Sequence, residues 1–260
     1  MSENFDLNQN HYFFNKKNSI PLVFIHGVGL DHQMWHEQVN YLNDFSILTY
    51  DLLGHGKTPY NKEKLSFKDF SNQLLEILDY LKLDKIHLVG FSIGSLIALD
   101  FSSRFQEKVE KLILIGATYK RSDQERSLVL DRYNQAKLNK PISKQALKRW
   151  FSDKYLEKHP KTYDLFMNIL NKKPEDHKNF IKAYELFANH KDDVGTIRKI
   201  DRKTLVMTGS NDLGSSPVMS KELVKDLTNS SYIEIKNGKH LCSIECADDV
   251  NINIKNFIKS

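Results

Sequence analysis

Short apolar runs set the rhythm of the chain: Pro21–Ile25, Phe45–Tyr50, Lys85–Val89, Lys111–Ile115 and Lys203–Thr208. Runs of this length, rich in Val, Ile and Leu, read as strands buried on both faces, as in parallel sheets. A further run, Ser231–Ile235, alternates polar and apolar positions and reads as a strand with one wet face. Stretches at helical spacing separate the strands. Phe67, Phe70, Leu74, Leu78 and Leu81 recur on one face, and Ser66 with Asp69 makes a capping pair in front of them. A second helix is expected near residues 32–43, and the first 20 residues are expected to form a short hairpin turning at Asn8-Gln9-Asn10. Parallel strands alternating with helices specify an α/β fold with a doubly wound, mostly parallel sheet.

That rhythm stops between Thr118 and Ile200. Ser143 opens one helix with Leu147, Trp150 and Phe151 on a face; Pro160 opens another with Tyr163, Phe166 and Leu170; Pro174 opens a third with Phe180, Tyr184 and Phe187. The expected division is an α/β core made of residues 1–117 and 201–260, with residues 118–200 inserted as a helical lid in a single structural domain. A length of 260 residues and an apolar content of 40% suit one such sheet. Trp150 is the lid residue expected to meet a substrate.

The chemistry gathers at strand ends. Gly90-Phe91-Ser92-Ile93-Gly94 joins the strand Lys85–Val89 to a helix opening at Ser95–Leu99. Side chains at the flanking positions of so tight a turn would strike the neighbouring strand or helix, so glycines there let the serine project its hydroxyl at the head of the sheet. A serine nucleophile on this scaffold needs an acid and then a histidine at later strand ends. The strand Lys203–Thr208 runs into Gly209-Ser210-Asn211-Asp212, and Ser231–Ile235 into Asn237-Gly238-Lys239-His240. Ser92, Asp212 and His240 are therefore the expected catalytic residues. Asp192, Asp193, Asp201, Glu245, Asp248 and Asp249 end no expected strand. Taken alone, Asp212 reads as an Asx turn or a cap on the helix after Pro217. The strand Pro21–Ile25 runs into His26-Gly27-Val28-Gly29, where the N–H of Val28, with that of Ile93, would hold an oxyanion. His26 reads as a structural residue of that loop and His55 as a brace. Lys239 sets a cation beside His240, which disfavours the imidazolium.

In this order, His26–Gly29, Asp51-Leu52-Leu53-Gly54-His55-Gly56, Gly90–Gly94, Gly209–Asp212 and Gly238–His240 resemble the α/β-hydrolase superfamily over nearly the whole chain. The resemblance implies the α/β-hydrolase fold and a serine hydrolase working through an acyl-enzyme, with no cofactor and no metal. Ser95 departs from it, standing where many relatives carry a further glycine. The scaffold also hosts esterases, lactonases, C–C hydrolases, peroxidases and non-catalytic receptors. Arg149-Trp150-Phe151, Lys158-His159-Pro160 and Asn171-Lys172-Lys173-Pro174 resemble the lid of 3-oxoadipate enol-lactonases, which implies a small ester or lactone as substrate. C–C cleavage, perhydrolysis and ligand binding with little turnover are the alternatives.

Charge adds one feature. Residues 118–200 hold 19 Lys and Arg against 11 Asp and Glu, a balance of +8, so the rest of a chain of net charge +5 carries −3. That excess is either a solvated helical surface or an attraction for anionic substrates or an acidic partner. No basic-aromatic nucleic-acid module is present. The start, Met1-Ser2-Glu3-Asn4-Phe5-Asp6, lacks the basic and apolar regions of a signal peptide, and no stretch approaches the roughly 18 apolar residues of a membrane span. A cytoplasmic enzyme is expected. Cys242 and Cys246 could join His240 as zinc ligands, but a fourth ligand is missing, and the thiols read as buried.

Overall fold

In the computed structural model residues 4–138, 143–171 and 174–260 are described. Met1–Glu3 of the chain start and Lys172–Lys173 of the lid motif lie outside them. The chain begins with a hairpin, β1 (Asn4–Phe5) and β2 (His11–Asn15), and the apolar runs then form β3 (Leu22–Ile25), β4 (Ile47–Tyr50), β5 (Ile86–Phe91), β6 (Val109–Ile115), β7 (Lys203–Gly209) and β8 (Ser230–Ile235). They make one sheet ordered β1-β2-β4-β3-β5-β6-β7-β8. From β4 to β8 every pairing is parallel, and only the hairpin at the edge runs antiparallel. The order turns at β3, so that β4 lies on one side of it and β5 on the other, and the loops at the carboxyl edge open there.

Alternation along the strands divides the core in two. Val23, Ile25, Leu48, Leu88, Leu112, Leu114 and Val206 face one side, while Leu22, Phe24, Ile47, Val89, Ile113, Ile115, Leu205 and Met207 face the other. α1 (His36–Tyr41) follows a single 3-10 turn at His32–Trp35. α2 (Phe67–Leu81) starts at a capping box in which the Ser66 side chain takes the Asp69 N–H and the Asp69 side chain takes the Ser66 N–H. α3 (Ile93–Arg104) is buried nearly all round, Ser95 and Ser102 included, because it lies against the centre of the sheet. It begins directly after Ser92, two residues earlier than the expected opening at Ser95.

Between β6 and β7 run α4 (Asp123–Lys137), α5 (Ser143–Trp150), α6 (Asp153–Lys158), α7 (Pro160–Leu170), α8 (Pro174–Ala188) and α9 (Val194–Ile197). The insert divides between the two halves of the core. Tyr133 of α4 and Phe180, Tyr184 and Phe187 of α8 pack with the first, and Leu147, Phe151 and Phe166 of α5 to α7 with the second. α10 (Pro217–Asp226), α11 (Cys242–Glu245) and α12 (Ala247–Lys259) complete the chain. Among the described residues no helix is long and apolar enough to cross a membrane.

Candidate active site

Ser92 sits between β5 and α3 with φ 55° and ψ −118°, a backbone conformation that non-glycine residues rarely hold. The flanking glycines explain how it is reached. A Cβ at position 90 would lie 2.3 Å from the Gly94 carbonyl oxygen, and one at position 94 would lie 2.3 Å from the Ile25 carbonyl oxygen. Two bonds hold the turn: the Ser92 N–H donates to the Ile115 carbonyl at 2.9 Å, and the Ser95 hydroxyl donates to Gly90 O at 2.7 Å. Ser95, the departure noted in the sequence, thus ties helix to strand.

Gly27-Val28-Gly29-Leu30 closes as a turn, with the Leu30 N–H on Gly27 O at 3.2 Å and Gly29 at φ +77°, the left-handed value that a type II turn needs at its third position. Among the described residues neither the Val28 N–H nor the Ile93 N–H has an acceptor. His26 spends both ring nitrogens on structure. Its Nδ1 bonds Gly27 O at 2.8 Å and its Nε2 accepts the Leu52 N–H at 2.9 Å, which fixes a neutral imidazole.

Asp212 is buried in the loop after β7. One carboxylate oxygen accepts the N–H groups of Gly214 and Ser215 at 2.8 and 2.9 Å, and the other meets His240 Nδ1 at 2.7 Å. The carboxylate thus closes an Asx-type turn with one oxygen and meets the histidine with the other. The two strand-end loops press together, for a Cβ at Gly209 would lie 2.3 Å from Gly238 O, and the Asn211 N–H donates to that carbonyl at 2.9 Å. The His240 ring packs on Phe91, the residue before Ser92, with centroids 4.8 Å apart. It also leans on Gly116, where a Cβ would stand 3.4 Å from the imidazole. Since Gly116 follows Ile115, whose carbonyl holds Ser92, the fold gathers Ser92, His240 and Asp212 around the ends of β5 to β8.

Two residues behave otherwise than their sequence context suggests. Lys239 turns its ammonium to the insert, donating to the Lys148 carbonyl at the end of α5 at 2.8 Å. Glu245, passed over in the sequence because it ends no strand, is a clamp: its carboxylate accepts the N–H groups of Lys239 at 3.0 Å and Ser152 at 2.9 Å. The Leu241 N–H donates to the Trp150 carbonyl at 3.1 Å, so the end of α5 is stapled to both sides of His240. Trp150 is half-buried against the second half of the core. Ser92 is only 4% exposed. Two open cavities, of about 530 and 330 Å³, lie elsewhere on the surface, and none of Ser92, Asp212 and His240 lines either one.

Cys242 and Cys246 are free thiols, and burial pushes Cys246 up to about 11. The donor set closest to a metal-ligand arrangement among the described residues is His11, His32 and Asp51, with ligand atoms within 4.8 Å of one another. Its carboxylate already receives His11 Nδ1 at 2.7 Å, His32 Nδ1 at 2.8 Å, and the N–H groups of His32 and Lys57 at 2.9 and 2.8 Å. Burial works to raise the Asp51 pKa, but the hydrogen bonds from His11 and His32 hold it well below the usual carboxylate range. The group ties β2 to the loops that follow β3 and β4.

Comparison with known proteins agrees with this architecture. The family described as alpha/beta hydrolase fold matches residues 20–246. A curated relative, (E)-2-((N-methylformamido)methylene)succinate hydrolase of Acinetobacter baylyi, is 26% identical over 94% of this chain and 92% of its own length. The 3-oxoadipate enol-lactonase 1 of the same organism is 25% identical over 94% of this chain and 90% of its own. Among solved structures, the enol-lactonase from Burkholderia xenovorans LB400 superposes with a TM-score of 0.87 at 22% identity, covering 97% of this chain and 98% of that one.

Proposed function

The chain belongs to the α/β-hydrolase family, a family of hydrolases, and on that premise we propose that it is a serine hydrolase cleaving a small carboxylic ester or lactone through an acyl-enzyme. The observation that carries the reading is the 2.7 Å contact between His240 Nδ1 and the anchored carboxylate of Asp212, beside a serine held in a strained turn. With Nδ1–H donating to Asp212, Nε2 is left as the base. It takes the Ser92 proton as Oγ adds to the substrate carbonyl, and the N–H groups of Val28 and Ile93 receive the negative oxygen. The imidazolium then protonates the leaving alkoxide as the C–O bond breaks. Water, giving a proton to His240, attacks the acyl group and releases the acid with Ser92 restored. The helical insert acts as the lid over this chemistry, with Trp150 on its substrate side.

Relatives named for a succinate derivative and for the enol-lactone of 3-oxoadipate favour a small, acid-bearing substrate. Stopped-flow mixing with 4-nitrophenyl acetate tests the mechanism. A burst of about one nitrophenolate per protein, followed by slower turnover, is expected of an acyl-enzyme. A folded protein that releases no nitrophenolate contradicts the proposal.

A further inference from the structure

The backbone around His240 passes from one support to another at the histidine itself. Up to Gly238 the loop is held by the sheet: the Gly238 N–H donates to Ile235 O at 3.2 Å, and Gly238 O takes the Asn211 N–H at 2.9 Å. From Lys239 to Leu241 the bonds go to the insert. The Lys239 ammonium donates to Lys148 O at 2.8 Å, and the Leu241 N–H to Trp150 O at 3.1 Å. One carboxylate then serves both sides, since Glu245 Oε2 accepts the Lys239 N–H at 3.0 Å and Oε1 accepts the Ser152 N–H at 2.9 Å. Hydrogen bonds accepted by a carboxylate are stronger than those between neutral groups, which makes Glu245 the firmest of these links.

The segment of the insert that receives these bonds is itself firmly placed. Phe151 stands within it and is fully buried, stacked on Tyr155 at 5.5 Å and edge-on to Phe166 of α7 at 5.2 Å. The Ser152 hydroxyl accepts the Tyr155 N–H at 3.2 Å, so the residue that donates to Glu245 also caps α6. The core holds the His240 ring, through Asp212 at Nδ1 and through Phe91 and Gly116 beside it. The N–H groups of the residues before and after it, however, go to Glu245 and to the insert. A movement of α5 and α6 on the sheet is therefore passed through Glu245 to Lys239, and from there to the adjoining imidazole. A base that takes a proton from a serine hydroxyl tolerates little of this, because a misplacement of about 1 Å can cost about 100-fold in rate.

We propose that Glu245 is a positioning residue of the reaction, one that ties the alignment of the His240 imidazole to the docked position of α5 and α6. This rests on the serine-hydrolase reading above. The insert is then part of the scaffold of the base as well as the cover of the site. Glu245 acts through Lys239 and not on the substrate, so its loss should slow the chemical step and leave substrate binding nearly as it was.

The test follows the burst of 4-nitrophenyl acetate cleavage over a range of substrate concentrations, which separates the acylation rate constant from the substrate dissociation constant. Wild type, Glu245→Ala, Glu245→Gln and Asp226→Asn are compared well below the Tm of the least stable. Asp226 binds Tyr119, Lys120 and Arg198 at the ends of the insert, none of them in the His240 loop, so Asp226→Asn controls for a general loss of stability. Glu245→Ala should lower the acylation rate constant by about 10- to 100-fold and leave the dissociation constant within about threefold. Glu245→Gln keeps one acceptor and turns an amide N–H on the other donor, and should fall by at least about fivefold. Asp226→Asn should leave both constants within about twofold of wild type. An unchanged acylation rate in folded Glu245→Ala, an equal fall in Asp226→Asn, or a change confined to the dissociation constant overturns the proposal. Should Glu245→Ala not fold, the same criteria apply to Glu245→Gln. A second readout is independent of turnover. In protein isotopically labelled at its histidine ring nitrogens, the NMR signals of His240, assigned by their loss in His240→Gln, should report the Nδ1–H tautomer in wild type and Asp226→Asn, and a mixture in the Glu245 variants. If wild type releases no nitrophenolate, the serine-hydrolase reading fails by itself, and positioning is judged on the tautomer: a change confined to the Glu245 variants supports it, and an unchanged tautomer overturns it.

Discussion

Ser92 occupies left-handed backbone space at φ 55°, and the neighbours that make this possible are testable one at a time. A methyl at position 94 would meet the backbone carbonyls of Ile25 and His26 at 2.3 and 2.7 Å, and neither can swing aside without moving β3. Gly94→Ala should therefore cost at least about 2 kcal/mol of stability by urea denaturation. Gly195→Ala is the control. Its nearest neighbour would be Asp193 Oδ1 at 3.4 Å, in a short exposed helix, so alanine there should be neutral or stabilise by up to about 1 kcal/mol. The glycine pair was legible in the sequence because a strand, a tight turn and a helix follow one another within a few residues. The direction of the Lys239 side chain was not, since the carbonyl that takes it belongs to residue 148, far away in the chain.

At the scale of elements, one carboxylate holds both ends of the helical insert. Asp226, the last residue of α10, receives the Tyr119 hydroxyl at 2.9 Å, the Lys120 ammonium at 2.6 Å and Arg198 Nε at 2.9 Å. Hydrogen bonds from Lys120, then Arg198 and Tyr119, depress its pKa below the ordinary carboxylate value. A depressed carboxylate stabilises the fold above its unfolded pKa of about 3.9, and that contribution is lost as the pH falls through the folded value. Asp226→Asn should thus be clearly less stable than wild type at pH 6, with the gap shrinking toward pH 3, as followed by thermal denaturation. α2 and its cap were readable from Ser66, Asp69 and a clean apolar stripe. α4 was not, because only Val129, Tyr133 and Ala136 are buried along it and so short a stripe hardly stands out from its polar surroundings. Anchors such as Asp226 and Glu245 escape a linear reading for the same reason as Lys239: their partners come from other elements.

For the whole molecule, the insert carries a balance of +8 and the remainder of the chain −3, and the proposed function gives the site to acidic substrates. Attraction of this kind acts through solvent and is screened, with a Debye length of about 30 Å at 0.01 M salt and 8 Å at 0.15 M. Raising the salt between these values should lower kcat/KM for monomethyl adipate and leave that for methyl hexanoate nearly unchanged, as measured by initial rates. Fold and strand-end positions were legible because parallel strands bury both faces and leave their loops on one edge. The packing of the insert was less so, since α4 meets α8 and α5 meets α7 only once the insert has folded. The central claim is that Ser92 is an activated nucleophile, and labelling by a fluorophosphonate probe tests it most directly, wild type beside Ser92→Ala. Rapid labelling of folded wild type that disappears in Ser92→Ala is the predicted result; no labelling of folded wild type, or equal labelling of both proteins, would contradict it.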